Sequence, residues 1–243
     1  MSLPWLRPEF SPLGTVLGFT LLAYLIVIEP WLGMRSLARL RRRRGNGSAA
    51  LSRVYVQTLA TETGWLGMVG LILWASPGLH PSALGLRAPA GPLVPLALGF
   101  TVAAVLLQLT VGLLLRLRGV SAQAPGDFAY LLPVTSAQRR LAGVVALGAS
   151  VSEEVVVRGL LIAFGVGVLG APPLLAVAGT TVLFGAMHAY QGRSGVLFTT
   201  VLGAVLAALY LMTGSLLLPI LLHVAINTRA LLITRYADPA VES

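Results

Sequence analysis

About seven apolar stretches divide this sequence, most near the ~20 residues that carry a helix across a hydrocarbon core of about 30 Å. They run Leu13–Gly33, Thr58–Ala75, Leu93–Leu115, Leu141–Leu169, Pro172–Tyr190, Gly195–Met212 and Ser215–Tyr236. Only 10% of the residues are charged and 56% are hydrophobic, whereas soluble domains carry roughly 25% charged residues. The stretches are too long for strands and do not alternate, which excludes a β-barrel. The expected fold is all-α: a polytopic transmembrane bundle of about seven spans, six to eight by the uncertainty of boundaries. Residues 1–243 read as a single membrane-embedded domain, with N-terminal helices over 1–135 and a motif-bearing catalytic core over about 136–236. The fourth span is roughly 43 Å long at 1.5 Å per residue, so it must tilt, kink, project, or break near Gly148–Ser150.

The net charge of +9 comes from arginine, because the chain has no lysine. Arg39, Arg41, Arg42, Arg43, Arg44 and Arg53 lie between the first two spans; Arg116, Arg118, Arg139 and Arg140 flank the third and fourth. Arg193 and Arg235 fall on the same side if spans alternate, leaving Arg7 and Arg87 opposite. The positive-inside rule then puts the N-terminus outside and the C-terminus in the cytoplasm. Because these arginines flank spans instead of covering a folded face, nucleic acid is not expected as a partner, and the lipid bilayer is. The first apolar run reads as a retained anchor. Arg41 to Ala49 reads as a flexible linker, and a short interfacial helix is expected near Ser136. With no cysteine, thiolate nucleophiles, disulfides and zinc–thiolate sites are excluded.

Three polar clusters interrupt the apolar helices: Glu153-Glu154 with Arg158, Phe184 with His188, and His223 with Asn227. A charge at the bilayer centre costs roughly 2.5–3.5 kcal/mol, so such residues mark intramembrane chemistry or transport. Glu154 and Arg158 are four apart with Glu first, the favourable order for a pair on one helical face. Glu153 points about 100° away and lacks a local cation. His223 and Asn227 are also four apart and project together. Glu153 and one imidazole could deprotonate a water while His223 and Asn227 stabilise an oxyanion. Alternatively, Glu153, His188 and His223 could hold a divalent metal such as zinc with a bound water. His80, in a loop of Pro and Gly, is given no role. Counted from the span ends, Glu153 lies well inside span four and His188 near the end of span five, so one boundary must shift if they meet. Gly165, Gly167, Gly170, Gly179 and Gly203 read as close helix packing.

The ordered set Glu-Glu-x-x-x-Arg-Gly, Phe-x-x-x-His and His-x-x-x-Asn resembles the CPBP (CAAX protease and bacteriocin-processing, or Abi) family of intramembrane proteases, which includes the type II CAAX prenyl endopeptidases. The matching positions are Glu153, Glu154, Arg158, Gly159, Phe184, His188, His223 and Asn227, and Thr213 to His223 resembles the family's entry to its last motif helix. The resemblance implies an endopeptidase acting on membrane-associated or lipidated proteins or peptides. It implies Glu153 as water activator with His188 as partner, His223 and Asn227 around the oxyanion or a metal, and Glu154 and Arg158 in support, Glu154 with a catalytic share. The compact single-domain form points to a bacterial source, and so to an integral protein of the inner membrane. Two other readings are a non-catalytic scaffold or immunity protein of the same fold, and an ion-coupled transporter.

Overall fold

A computed structural model describes Leu6 and residues 8–43, 49–120 and 126–233. Arg7, Arg44 with the rest of the linker to Ser48, Pro125, Arg235 and Tyr236 lie outside the described residues. The described chain is helical and forms seven rods. The first joins α1 (Pro12–Ala23), a π turn at Tyr24–Ile28 and α2 (Glu29–Arg43). Then follow α3 (Ala49–Ala75) and α4 (Val94–Leu117). The fourth rod joins α5 (Ser136–Glu153), a π segment at Glu154–Leu161 and α6 (Ile162–Gly167). The last three are α7 (Pro173–Met187), α8 (Gly192–Thr213) and α9 (Leu217–Thr228), which ends in a π turn at Arg229–Ile233.

Each rod begins and ends for local reasons. Ser11 caps α1 by accepting from the Gly14 amide. Thr135 caps α5, and the Gln138 side chain reaches back to the Val134 and Thr135 amides in a capping box. Ser136 therefore opens the fourth rod itself, where a separate interfacial helix was expected. Gly148–Ser150 continues as regular helix, and the irregularity falls further on, at the π segment. Arg41 to Arg43 likewise extend α2 where a flexible linker was expected.

Lipid-type surface is plain on the outer faces. Val182, Leu197, Val201, Leu96 and Leu107 are largely exposed, as expected of helices facing acyl chains instead of water. The membrane-spanning identity rests on this surface and on three helices long and apolar enough to cross a bilayer, Pro12–Arg42, Val94–Leu117 and Ala189–Thr213. Inside, the main core gathers Leu25, Ile72, Val156, Leu160, Ile162, Phe184 and Tyr210. A second cluster of Leu40, Leu51, Tyr55, Ala142 and Val145 closes the arginine-bearing ends of α2, α3 and α5.

That second cluster explains how Glu153 and His188 come level. α7 has 15 residues, roughly 22 Å and short of the ~30 Å span. It begins at Pro173 and leaves the helix at His188, whose backbone sits at φ −91°, ψ 18°. The rods of α2, α3 and α5 continue past that point to pack on one another. The turn from α7 to α8 packs on α2, with Tyr190 directly over Gly33, where a Cβ would meet its ring at 2.8 Å.

Of the five glycines expected at close packing, Gly165, Gly167 and Gly203 lie against Ala176, Pro8 and Phe184. Gly179 faces open space, and Gly170 adopts φ +63°, a left-handed residue after the end of α6.

Candidate active site

The geometry starts from one helical turn. Glu153 ends α5 and Glu154 opens the π segment, so adjacent carboxylates leave the rod in different directions. π segments occur frequently at functional sites.

Glu154 is fully buried in a knot of side chains, and its Oε2 has no hydrogen-bond partner. Its Oε1 accepts from Arg158 Nη1 at 2.7 Å and lies 2.9 Å from His223 Nδ1. A carboxylate offers no proton, so Nδ1 carries the hydrogen and donates. Arg158 Nη2 donates to the Gly203 carbonyl at 3.3 Å, and the guanidinium lies 4.2 Å from the centre of the Phe184 ring. Gly203 permits that approach: a Cβ there would meet Phe184 at 3.1 Å and Arg158 Nη2 at 3.2 Å. Gly159 serves similarly, since a Cβ would meet the Leu84 carbonyl at 2.8 Å. A buried ion pair of this kind must have its charges paired and hydrogen-bonded to persist.

Glu153 faces the other way, into a cavity of about 500 Å³ that His188, His223 and Asn227 also line. Its Oε2 has no hydrogen-bond partner and lies 3.6 Å from His223 Nε2. His188 Nδ1 donates to the Phe184 carbonyl at 2.8 Å, leaving Nε2 to accept a proton when the ring is neutral. Phe184 is the shared wall, with ring centres 4.7 Å from His188 and 6.0 Å from His223. Asn227 Nδ2 donates to Ser150 Oγ at 3.1 Å. The sequence-derived set thus divides: Glu153, His188, His223 and Asn227 share the cavity, while Glu154 and Arg158 meet His223 from outside it.

A zinc site with an open position needs about three protein ligands. Glu153 and His223 approach one another, but among the described residues no group of three His, Cys, Asp or Glu side chains could hold a metal ion. Glu153, His188 and His223 do not fit that role in this arrangement, and no step below passes through a metal.

Residues 136–229 match the family model described as type II CAAX prenyl endopeptidase Rce1-like, a stretch that contains every one of these groups. The match over that stretch supports membership in the CAAX/CPBP family. No curated protein and no solved structure matches it. The matched model indicates a protease acting on a peptide substrate in a membrane environment.

Two cavity residues were not singled out from the sequence. Glu29, at the start of α2, and Glu62, within α3, line the same space as Glu153. Glu62 is 5% exposed. Neither belongs to a motif, and only its lone charge in an apolar run could have marked Glu62.

Proposed function

We propose that the protein is an intramembrane endopeptidase that hydrolyses peptide bonds of membrane-associated substrates with a water activated by Glu153. The supporting observation is the chain of contacts from Arg158 through Glu154 to His223, which turns His223 Nε2 toward the unpartnered oxygen of Glu153. Glu153 takes a proton from water as the oxygen attacks the scissile carbonyl carbon, forming a C–O bond and a tetrahedral oxyanion. His188, with its Nε2 lone pair, assists that proton transfer. Protonated His223 donates from Nε2 to the oxyanion, and Asn227 donates with the amide hydrogen that Ser150 does not take. As the C–N bond breaks, the proton held by Glu153 passes to the leaving nitrogen. Glu154 is a positioning residue, since its oxygen fixes the His223 tautomer and is bonded to Arg158.

The substrate is a membrane-associated or lipidated peptide or protein. The site lies toward the arginine-bearing end of the bundle, which the positive-inside rule assigns to the cytoplasm of a bacterial inner membrane. The test is cleavage of quenched fluorescent peptides by purified protein in detergent and in liposomes. Glu153→Gln and His188→Ala should each abolish turnover while the proteins stay folded and inserted. Equal turnover by Glu153→Gln would overturn the reading.

A further inference from the structure

Part of the cavity wall around Glu153 is built by the N-terminal rods, outside the matched residues 136–229. Glu62 lines the cavity and is more than nine-tenths buried, and its Oε2 has no hydrogen-bond partner. Its carboxylate lies beside the Ser152 hydroxyl, a neutral group, and within electrostatic reach of both Glu29 and Glu153. Glu29 receives the Tyr24 hydroxyl at 3.1 Å, again a neutral partner. Arg39 also lines the cavity, but ten residues along the same rod from Glu29 it is roughly 15 Å away. Arg158 is bonded to Glu154 on the far side of α5. Trp65, one turn beyond Glu62 on α3, adds a broad apolar wall.

Mutually repelling carboxylates on one low-dielectric wall carry a cost that a single cation between them offsets. We propose that Glu29 and Glu62 form a subsite for a basic substrate side chain, a Lys ammonium or Arg guanidinium, held in the cavity that Glu153 also lines, near the scissile bond. This rests on the hydrolase reading and narrows it: substrates carry a basic residue within a few positions of the cleaved bond. The aliphatic stem of that residue lies along Trp65 while its charge reaches the two carboxylates. Recognition of this kind rejects isosteres that lack the charge, because the buried carboxylates would go unpaired.

The test uses fluorescein-labelled apolar peptides that differ only in a central Lys, norleucine or Glu. Binding is read by fluorescence polarisation in detergent micelles with His188→Ala protein, which keeps all three carboxylates but should not turn substrate over. The Lys peptide should bind about tenfold or more tighter than norleucine, and the Glu peptide weakest. Added Glu62→Gln should erase most of the Lys preference, Glu29→Gln part of it, and Glu62→Lys should reverse it toward the Glu peptide. Equal binding of the three peptides, binding of none, or a Lys preference unchanged by Glu62→Gln would each overturn the subsite. Should Glu62→Lys fail to fold, the isosteric Gln variant and the Lys-to-norleucine change decide the matter. Peptide cleavage by wild-type protein, measured separately, distinguishes the two proposals: turnover that needs Glu153 but ignores basic residues defeats only the subsite.

Discussion

The two sides of α5 at Glu153–Glu154 treat the same side chain in opposite ways. On one side, Glu154 is locked by Arg158 and His223, and the guanidinium is itself held by Gly203 and Phe184. On the other, Glu153 has an oxygen without a partner and faces a cavity of about 500 Å³. Glu154 shares Oε1 between two donors and keeps Oε2 without a partner, but it does not line the cavity, so it serves as a frame. Glu153, which lines the cavity, is the one placed to meet water. The contrast teaches that site chemistry here depends on what a frame leaves free: His223 joins the two sides, donating from Nδ1 to the knot and facing Glu153 with Nε2.

The largest expected effect is on the cavity side. Glu153→Gln should lower kcat for peptide cleavage by roughly 10²–10⁴-fold, the usual share of a general base, with thermal unfolding unchanged. If turnover survives, the two carboxylates do not differ in the way the geometry suggests. On the knot side, Arg158→Leu should leave Glu154 buried without its cation and cost about 3–5 kcal/mol of stability, read as a lower unfolding temperature. Arg158→Leu combined with Glu154→Leu should recover much of that stability but not activity, because His223 loses its partner. Were the double variant to regain activity, Glu154 would have no positioning role.

A third comparison asks how much the oxyanion contributes. Asn227→Ala should reduce kcat by roughly 10²–10³-fold with a smaller change in KM, as for loss of one oxyanion donor. A KM effect alone would instead assign Asn227 to substrate binding. Gly203→Ala probes the knot more gently: the new methyl would press on Phe184 and Arg158 at 3.1 and 3.2 Å. It should cost about 1–3 kcal/mol through overpacking, read by thermal unfolding, with some fall in kcat as His223 shifts. The smallest expected effect is none: chelator treatment of active protein should leave turnover intact, with metal well below one per chain by elemental analysis. Loss on chelation with recovery on adding zinc would mean that Glu153, His188 and His223 regroup around a metal in the working enzyme.

Legibility from sequence followed spacing. Glu154 with Arg158 and His223 with Asn227 could be placed on shared faces because four residues return a helix to the same side. Glu154 contacts Arg158 as that spacing implies, and all seven apolar stretches correspond to helical rods in the described residues. The start of the fourth rod was harder, since Ser136 to Arg140 is polar and its helix depends on the capping box at Thr135 and Gln138. The π segment was not legible, because i to i+5 winding leaves no distinct hydrophobic period in a buried apolar run. Glu29 and Glu62 escaped for another reason. They belong to rods far from the motifs in sequence, and nothing local relates α2 or α3 to α5.

Composition and local periodicity alone determined that this chain forms a bundle of membrane helices and which polar groups interrupt it. Apolar length and helical repeat are properties of neighbouring residues, and lipid enforces them by leaving no other way to satisfy the backbone. Only tertiary structure decided which carboxylate meets Arg158 and His223 and which lines the cavity, and how far the short α7 reaches beside the longer rods. It also placed two acidic residues from the N-terminal rods in the cavity that Glu153 lines. Those outcomes depend on side chains meeting across rods, where distance in the sequence carries no record of distance in space.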